Sequence, residues 1–105
     1  MKNDEYFQEP DYIEITAEKL GDDFFYDEAM SSLKYQGKTL VVHGTIESII
    51  KDSLGDIFVT LACRNGGIKC KMFDWSHTLH METGKKVKII GVNRGYPQLV
   101  NCGIR

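Results

Sequence analysis

A small closed Greek-key β-barrel of five strands, preceded by one α-helix and carrying a short helix between its third and fourth strands, is the fold class this sequence predicts. Three observations predict it. After Gly37 the chain becomes β-branched and alternating, with strand-like segments separated by glycine-containing turns. Before Gly37 the apolar residues recur at helical spacing. The length, 105 residues at 42% hydrophobic, supplies one domain and excludes both a second domain and a large enzyme.

The elements follow in order. Residues 1–14 hold Pro10, many acids and the aromatics Tyr6, Phe7 and Tyr12 without a period, and read as a partly ordered acidic arm ahead of one domain over 15–105. A helix over 16–33 starts at Thr16, a good cap, with Glu18 in its first turn and Ile15 and Leu20 spaced as a hydrophobic staple. Leu20, Phe24, Phe25, Ala29, Met30 and Leu33 form its expected core stripe, although Gly21 weakens the second turn by about 1 kcal/mol. The barrel spans 38–105. Its first strand, 39–50, contains Gly44, expected to mark a bulge or sharp coil. Leu54-Gly55-Asp56 turns the chain into a second strand, 56–63, which sends Ile57, Val59, Leu61 and Cys63 inward and Phe58 and Thr60 outward. Asn65-Gly66-Gly67 makes a hairpin into a third strand with Ile68, Cys70 and Met72 inward and Lys69 and Lys71 outward. Residues 74–82 suit a short helix stopped by Gly84, 86–92 a fourth strand, 93–97 a turn and 98–104 a fifth strand.

Five strands in this arrangement are those of the OB-fold. The stretches Leu33-Lys34-Tyr35-Gln36-Gly37-Lys38, Val42-His43-Gly44-Thr45-Ile46, Ile68-Lys69-Cys70, Gly84-Lys85-Lys86-Val87 and Val100-Asn101-Cys102-Gly103-Ile104 resemble the tRNA-anti-like OB-fold family, and Ile15 to Leu20 resembles its helical lead-in. The resemblance covers residues 14 to 105. It implies the barrel and, through the family's likeness to nucleic-acid-binding OB domains, a binding rather than a catalytic role. Many members look exported or lipid-anchored, whereas this chain opens Met1-Lys2-Asn3-Asp4-Glu5 and stays polar, which predicts a cytoplasmic protein with no membrane partner. Three cysteines, an odd number, fit reduced thiols in the core.

The net charge of −2 conceals an asymmetry: residues 1–30 carry ten acids against two bases, a balance of −8, and residues 31–105 carry eleven bases against five acids, a balance of +6. The basic part offers a surface for single-stranded nucleic acid or a small nucleotide: Phe58 on the second strand, Lys69 and Lys71 on the third, Arg64 at the hairpin, Lys51 in the first loop, and Arg94 and Tyr96 in the last. The opposing reading of the same residues is solubility and edge protection, with Phe58 packed under the helix. The acidic part offers an alternative, a small protein-binding module or inhibitor of phage or accessory type that acts on a nucleic-acid enzyme through Asp4, Glu5, Tyr6, Phe7, Glu9, Asp11 and Tyr12. Cys63, Cys70, His77 and His80 lack the paired spacing of zinc ligands and read as core thiols and incidental histidines, so no metal or cofactor is expected. His43 has no evident nucleophile partner, and no GxSxG, HExxH or phosphate-cradling loop occurs, so no enzyme activity is expected.

Overall fold

The computed structural model describes residues 12–78, 80–95 and 98–105. In chain order they form β1 (Ile13–Thr16), α1 (Ala17–Tyr26), α2 (Glu28–Tyr35), β2 (Thr39–Lys51), β3 (Ile57–Leu61), β4 (Ile68–Met72), a 3-10 turn (Trp75–Thr78), β5 (Lys86–Asn93) and β6 (Gln98–Ile104). β2 is long enough to join two ladders: residues 39–45 pair antiparallel with β5 and residues 46–51 with β3. β3 pairs with β4, β4 runs parallel to β6, and β6 returns antiparallel to β5, so hydrogen bonding circles through β2, β3, β4, β6 and β5. This is the expected OB barrel, with alternating residues of β3 and β4 filling it: Val59, Leu61, Ile68 and Cys70 have no exposed surface. No helix among the described residues is long and apolar enough to cross a membrane.

β6 reaches the core by breaking its own alternation. Leu99 and Cys102 are both fully buried though three residues apart. Asn101 between them adopts φ 55°, the left-handed conformation that asparagine tolerates better than most residues. The register of β6 slips against both neighbours around it, between Cys70 and Met72 on β4 and between Ile90 and Val92 on β5. That bulge turns Cys102 inward, and Gly91 makes room for it: a Cβ on Gly91 would meet Cys102 Sγ at 2.6 Å and the Val100 carbonyl at 3.1 Å.

Three expectations about the first half of the chain change. The helix expected over 16–33 is two helices, because Asp27 leaves helical geometry (φ −155°, ψ 80°) and its carboxylate accepts the Met30 N–H at 3.2 Å, starting α2. The break rotates the second half of the apolar stripe off the barrel, so Leu20 and Phe24 are buried while Met30 and Leu33 are exposed; Phe25, one residue on from Phe24 in α1, is turned to solvent already before the break. Residues 13 and 14, assigned to the arm, belong to β1, which lies parallel to Leu40–His43. The reason is that β3 stops pairing with β2 at Ile46, leaving an open edge that Ile13 and Ile15 cover from the core side. Gly44 marks no bulge; the irregularity lies between Ile46 and Ser48. Gly44 instead allows close approach, since a Cβ there would sit 3.1 Å from the Cβ atoms of both Ala17 and Leu61.

α2 is fastened by Tyr35, which is 1% exposed and packs its ring 5.9 Å from that of Phe24. Its hydroxyl donates to Asp23 at 2.5 Å, and Lys19 donates to the same carboxylate at 2.9 Å. Burial opposes ionisation of Asp23, but the hydrogen bonds from Tyr35 and Lys19 and the charges of Lys19 and Lys34 outweigh it and hold the carboxyl below its ordinary 3.8. Burial, then the bond and charge of Asp23, push the Tyr35 phenol above its ordinary 10.0. A lowered carboxyl stabilises the fold above about pH 4 and stops doing so as pH falls through its folded value. A raised phenol stabilises it below about pH 10, and that contribution fades as pH rises further. Tyr35→Phe is therefore expected to cost about 1–2 kcal/mol at neutral pH, with the gap to wild type shrinking above pH 10 and below pH 4. Urea unfolding across pH checks this; a gap that stays constant contradicts it.

Candidate nucleic-acid interface

Because the even inward positions of β4 and the odd ones of β3 fill the barrel, Phe58, Thr60, Lys69 and Lys71 face outward. Register places Phe58 opposite Lys71 and Thr60 opposite Lys69, with Ile50 of β2 opposite Phe58 on its other side. Lys69 Nζ stands 4.9 Å from the centre of the Phe58 ring, a cation–π distance. The flanking loops are internally braced. Asp52 Oδ1 accepts the N–H groups of Leu54 and Asp56, each at 2.9 Å, closing the turn after Lys51. Asn93, buried, donates through Nδ2 to the carbonyls of Gly95 and Gln98, fixing the turn from which Arg94 projects into solvent. Gln98 pairs with Lys69, so Arg94 stands at the β6 end of the Lys69 row.

Of the seven residues expected at this surface, register puts Phe58, Lys69 and Lys71 on one outward face, with Arg94 exposed in the turn before Gln98. Lys51 corrects the expectation: it pairs with Ile57, whose side chain packs against the core, and so takes the opposite face from Ile50 and Phe58 at the end of β2. Lys71 lies 3.6 Å from Asp56, but both side chains are more than 40% exposed and such a pair holds little energy. Among the described residues no carboxylate comes within 4 Å of Lys51, Lys69 or Arg94. Arg64 is drawn away. Its guanidinium meets Asp22 of α1 at 2.5 Å and Glu18 at 3.4 Å, and Asn65 donates to Asp22 at 2.8 Å. The acidic helix therefore neutralises the β3–β4 hairpin and leaves the Phe58 end of the face clear of its charges. Tyr96 lies outside the described residues, as do Asp4, Glu5, Tyr6, Phe7, Glu9 and Asp11. Tyr12 is described, and it belongs to an intramolecular contact: the Arg105 guanidinium lies 4.8 Å from its ring centre and donates to its hydroxyl at 3.2 Å.

Two large exposed aromatics that follow β4 in the chain, Phe73 and Trp75, escaped the sequence reading. Phe73 follows inward-facing Met72, so it extends the outward series Lys69, Lys71, and it is 71% exposed. Its N–H still donates to the Cys102 carbonyl, at 2.7 Å, so the backbone there continues the β4–β6 ladder. Trp75, 62% exposed, is presented by a turn in which Asp74 accepts from both the N–H and the hydroxyl of Ser76. The signal was available: continuing the lysine parity two residues past Lys71, one beyond the end of β4, reaches Phe73.

The thiols are occupied elsewhere. Cys70 and Cys102 are fully buried, Cys70 Sγ donates to the Ile68 carbonyl at 3.8 Å, and the neighbouring Cys102 thiol together with burial pushes the Cys70 thiol well up. Cys63 Sγ accepts the Gly67 N–H at 3.2 Å inside the hairpin. Among the described residues no three His, Cys, Asp or Glu side chains converge as a metal site would require, and the His77 side chain lies outside that set. His43 Nε2 is 2.6 Å from Glu14 Oε2, a contact that ties β1 to β2.

Comparison with known proteins agrees with this fold. A crystal structure of a lipoprotein from Klebsiella pneumoniae, to which nucleic-acid binding is ascribed, superposes with a TM-score of 0.68 over 89% of this chain and 92% of that one at 18% identity, a likeness of fold. No curated protein matches the chain. The tRNA_anti-like family model matches residues 2–104, nearly the full length, and the chain belongs to that family.

Proposed function

We propose that the protein is a non-enzymatic OB module that binds single-stranded nucleic acid across the outer face of β3 and β4. The observation that carries this reading is the Phe58 ring with Lys69 4.9 Å from its centre, continued by Lys71, Phe73 and Trp75. Sequence-tolerant strand binding needs that combination, aromatic platforms for bases and cations along the backbone. The row is extended rather than enclosed, which favours a strand over a lone nucleotide. Family membership and the binding ascribed to the Klebsiella relative support the same class of ligand. The test is fluorescence anisotropy with a labelled oligothymidylate at increasing salt. Contacts from Lys69, Lys71 and Arg94 predict a log–log slope of roughly −2, at about 0.7 per phosphate neutralised. Absence of binding at the lowest salt sinks the reading.

A second reading, a protein-binding module acting through the acidic N-terminal part, has one observation in its favour. Tyr26, Met30 and Leu33 line a groove of about 830 Å³ edged by Asp22, Asp23 and Asp27. On that reading Leu33→Asp abolishes capture of a protein partner while leaving strand binding intact.

A further inference from the structure

A second group of cations stands on the opposite side of the barrel. Lys86 and Lys88 project from the outer face of β5, about 7 Å apart as residues two positions along a strand are, and Lys85 precedes them. All three are exposed, and among the described residues none has a carboxylate within 4 Å. Protection of a sheet edge accounts for little of this: β5 is paired to β2 from Lys86 onward and to β6 from Ile89 onward, and the Arg105 N–H donates to the Lys88 carbonyl, so Lys86 stands only just beyond the end of the β6 ladder. The surface around them is furrowed. One hollow of about 470 Å³ is lined by His43, Thr45, Lys86 and Lys88, and a second of about 270 Å³, bordered by His80 and Lys85, shares Lys86 with it.

Topology connects this surface to the aromatic row. β4 is parallel to β6 and β6 is antiparallel to β5, so β4 ends where β5 begins. Lys69, Lys71, Phe73 and Trp75 therefore lead to the end of the barrel at which Lys85 and Lys86 stand.

We propose that Lys85, Lys86 and Lys88 form a second phosphate track, occupied by a nucleic-acid strand long enough to leave the β3–β4 face at Phe73 and pass around the end of the barrel. The proposal rests on the single-strand reading above. An anionic membrane is the less favoured polyanion because the most exposed apolar side chains, which would enter a headgroup layer, are not gathered on the outer face of β5 with these lysines: Leu54 follows β2, Phe73 and Trp75 follow β4, and Phe25 and Leu33 are on the helices.

The test compares the full chain with Lys85→Ala/Lys86→Ala/Lys88→Ala, after both give the same circular dichroism and thermal midpoint. Labelled oligothymidylates of about 6 and about 16 nucleotides, the range of OB site sizes, serve as probes. The triple variant is expected to bind the short probe as wild type does and the long one about tenfold more weakly, with its salt slope reduced by roughly 2. Equal binding of both probes by variant and wild type overturns the track alone. Loss of binding to phosphatidylserine vesicles with long-probe affinity unchanged overturns it in favour of a membrane. If wild type binds neither probe, the single-strand reading fails and the track falls with it.

Discussion

Phe58→Ala combined with Phe73→Ala is expected to weaken single-strand binding by about 100-fold, roughly 3 kcal/mol. A base stacked on an aromatic side chain contributes about 1–3 kcal/mol, and two platforms removed together bring the loss into that range even if they are not fully additive. Phe58 is half-buried and in contact with Lys69, so its truncation also frees that ammonium to move. Phe58→Leu separates the two effects, because leucine keeps the apolar volume beside Ile50 and offers no ring. Its binding should fall with the alanine variant while its stability stays near wild type. Arg64→Ala serves as the contrast. Its guanidinium is committed to Asp22 and Glu18, so strand affinity should change less than twofold. Anisotropy titrations at fixed low salt check all four proteins. If Arg64→Ala loses as much affinity as the double aromatic variant, the strand runs over the hairpin and the face is misplaced.

Gly91→Ala is expected to be among the most damaging single-methyl changes in the protein, at about 3 kcal/mol. The added Cβ would stand 2.6 Å from Cys102 Sγ, 3.1 Å from the Val100 carbonyl and 3.3 Å from the Leu99 Cβ. Neither backbone nor a fully buried thiol can yield cheaply there, since Cys102 is packed against Cys70 in the barrel centre. In a domain of this size the loss corresponds to a fall in Tm of roughly 12–20 °C. The cause can be isolated by pairing it with Cys102→Ala. Removing the sulfur relieves the shortest contact, so the double variant should be more stable than Gly91→Ala alone despite the cavity that Cys102→Ala leaves by itself. Thermal and urea unfolding of the four corners of this cycle measure the coupling. Additive losses would mean that the bulge at Asn101 moves instead, and that Gly91 has another role.

The barrel was legible because its strands carry their faces openly. Val59 and Leu61, then Ile68, Cys70 and Met72, alternate cleanly, and Gly55, Gly66 and Gly67, all with positive φ, stand at the turns between strands. The helical part was legible only to Phe24. Asp27 sits in a run that reads as continuous helix, and its role as a cap depends on a backbone angle rather than on composition. β1 was hidden for a different reason. Four residues, Ile13 to Thr16, make a strand only where a partner has an empty edge, and that edge exists because β3 releases β2 at Ile46. The same distinction divides the site. Lys69, Lys71 and Phe58 follow from local parity, whereas the neutralisation of Arg64 depends on Asp22, 42 positions away, meeting it in space. Phe73 and Trp75 were lost because they fall beyond the last residue that strand pattern marks. The charge split of the sequence also has a structural form: the acids of α1 take up the hairpin, and the lysines of β4 and β5 remain open to solvent.

The central claim, that the outer face of β3 and β4 is where this protein meets its ligand, is tested most directly by mapping amide chemical shifts of the isotope-labelled full chain during titration with an unlabelled oligothymidylate of about 8 nucleotides, within the range an OB domain covers. The account predicts saturable shifts centred on Ile50, Phe58, Lys69, Lys71, Phe73 and Arg94, with α2 and Arg64 little changed. Shifts concentrated on Tyr26, Met30 and Leu33, or no shifts at low salt, would contradict it.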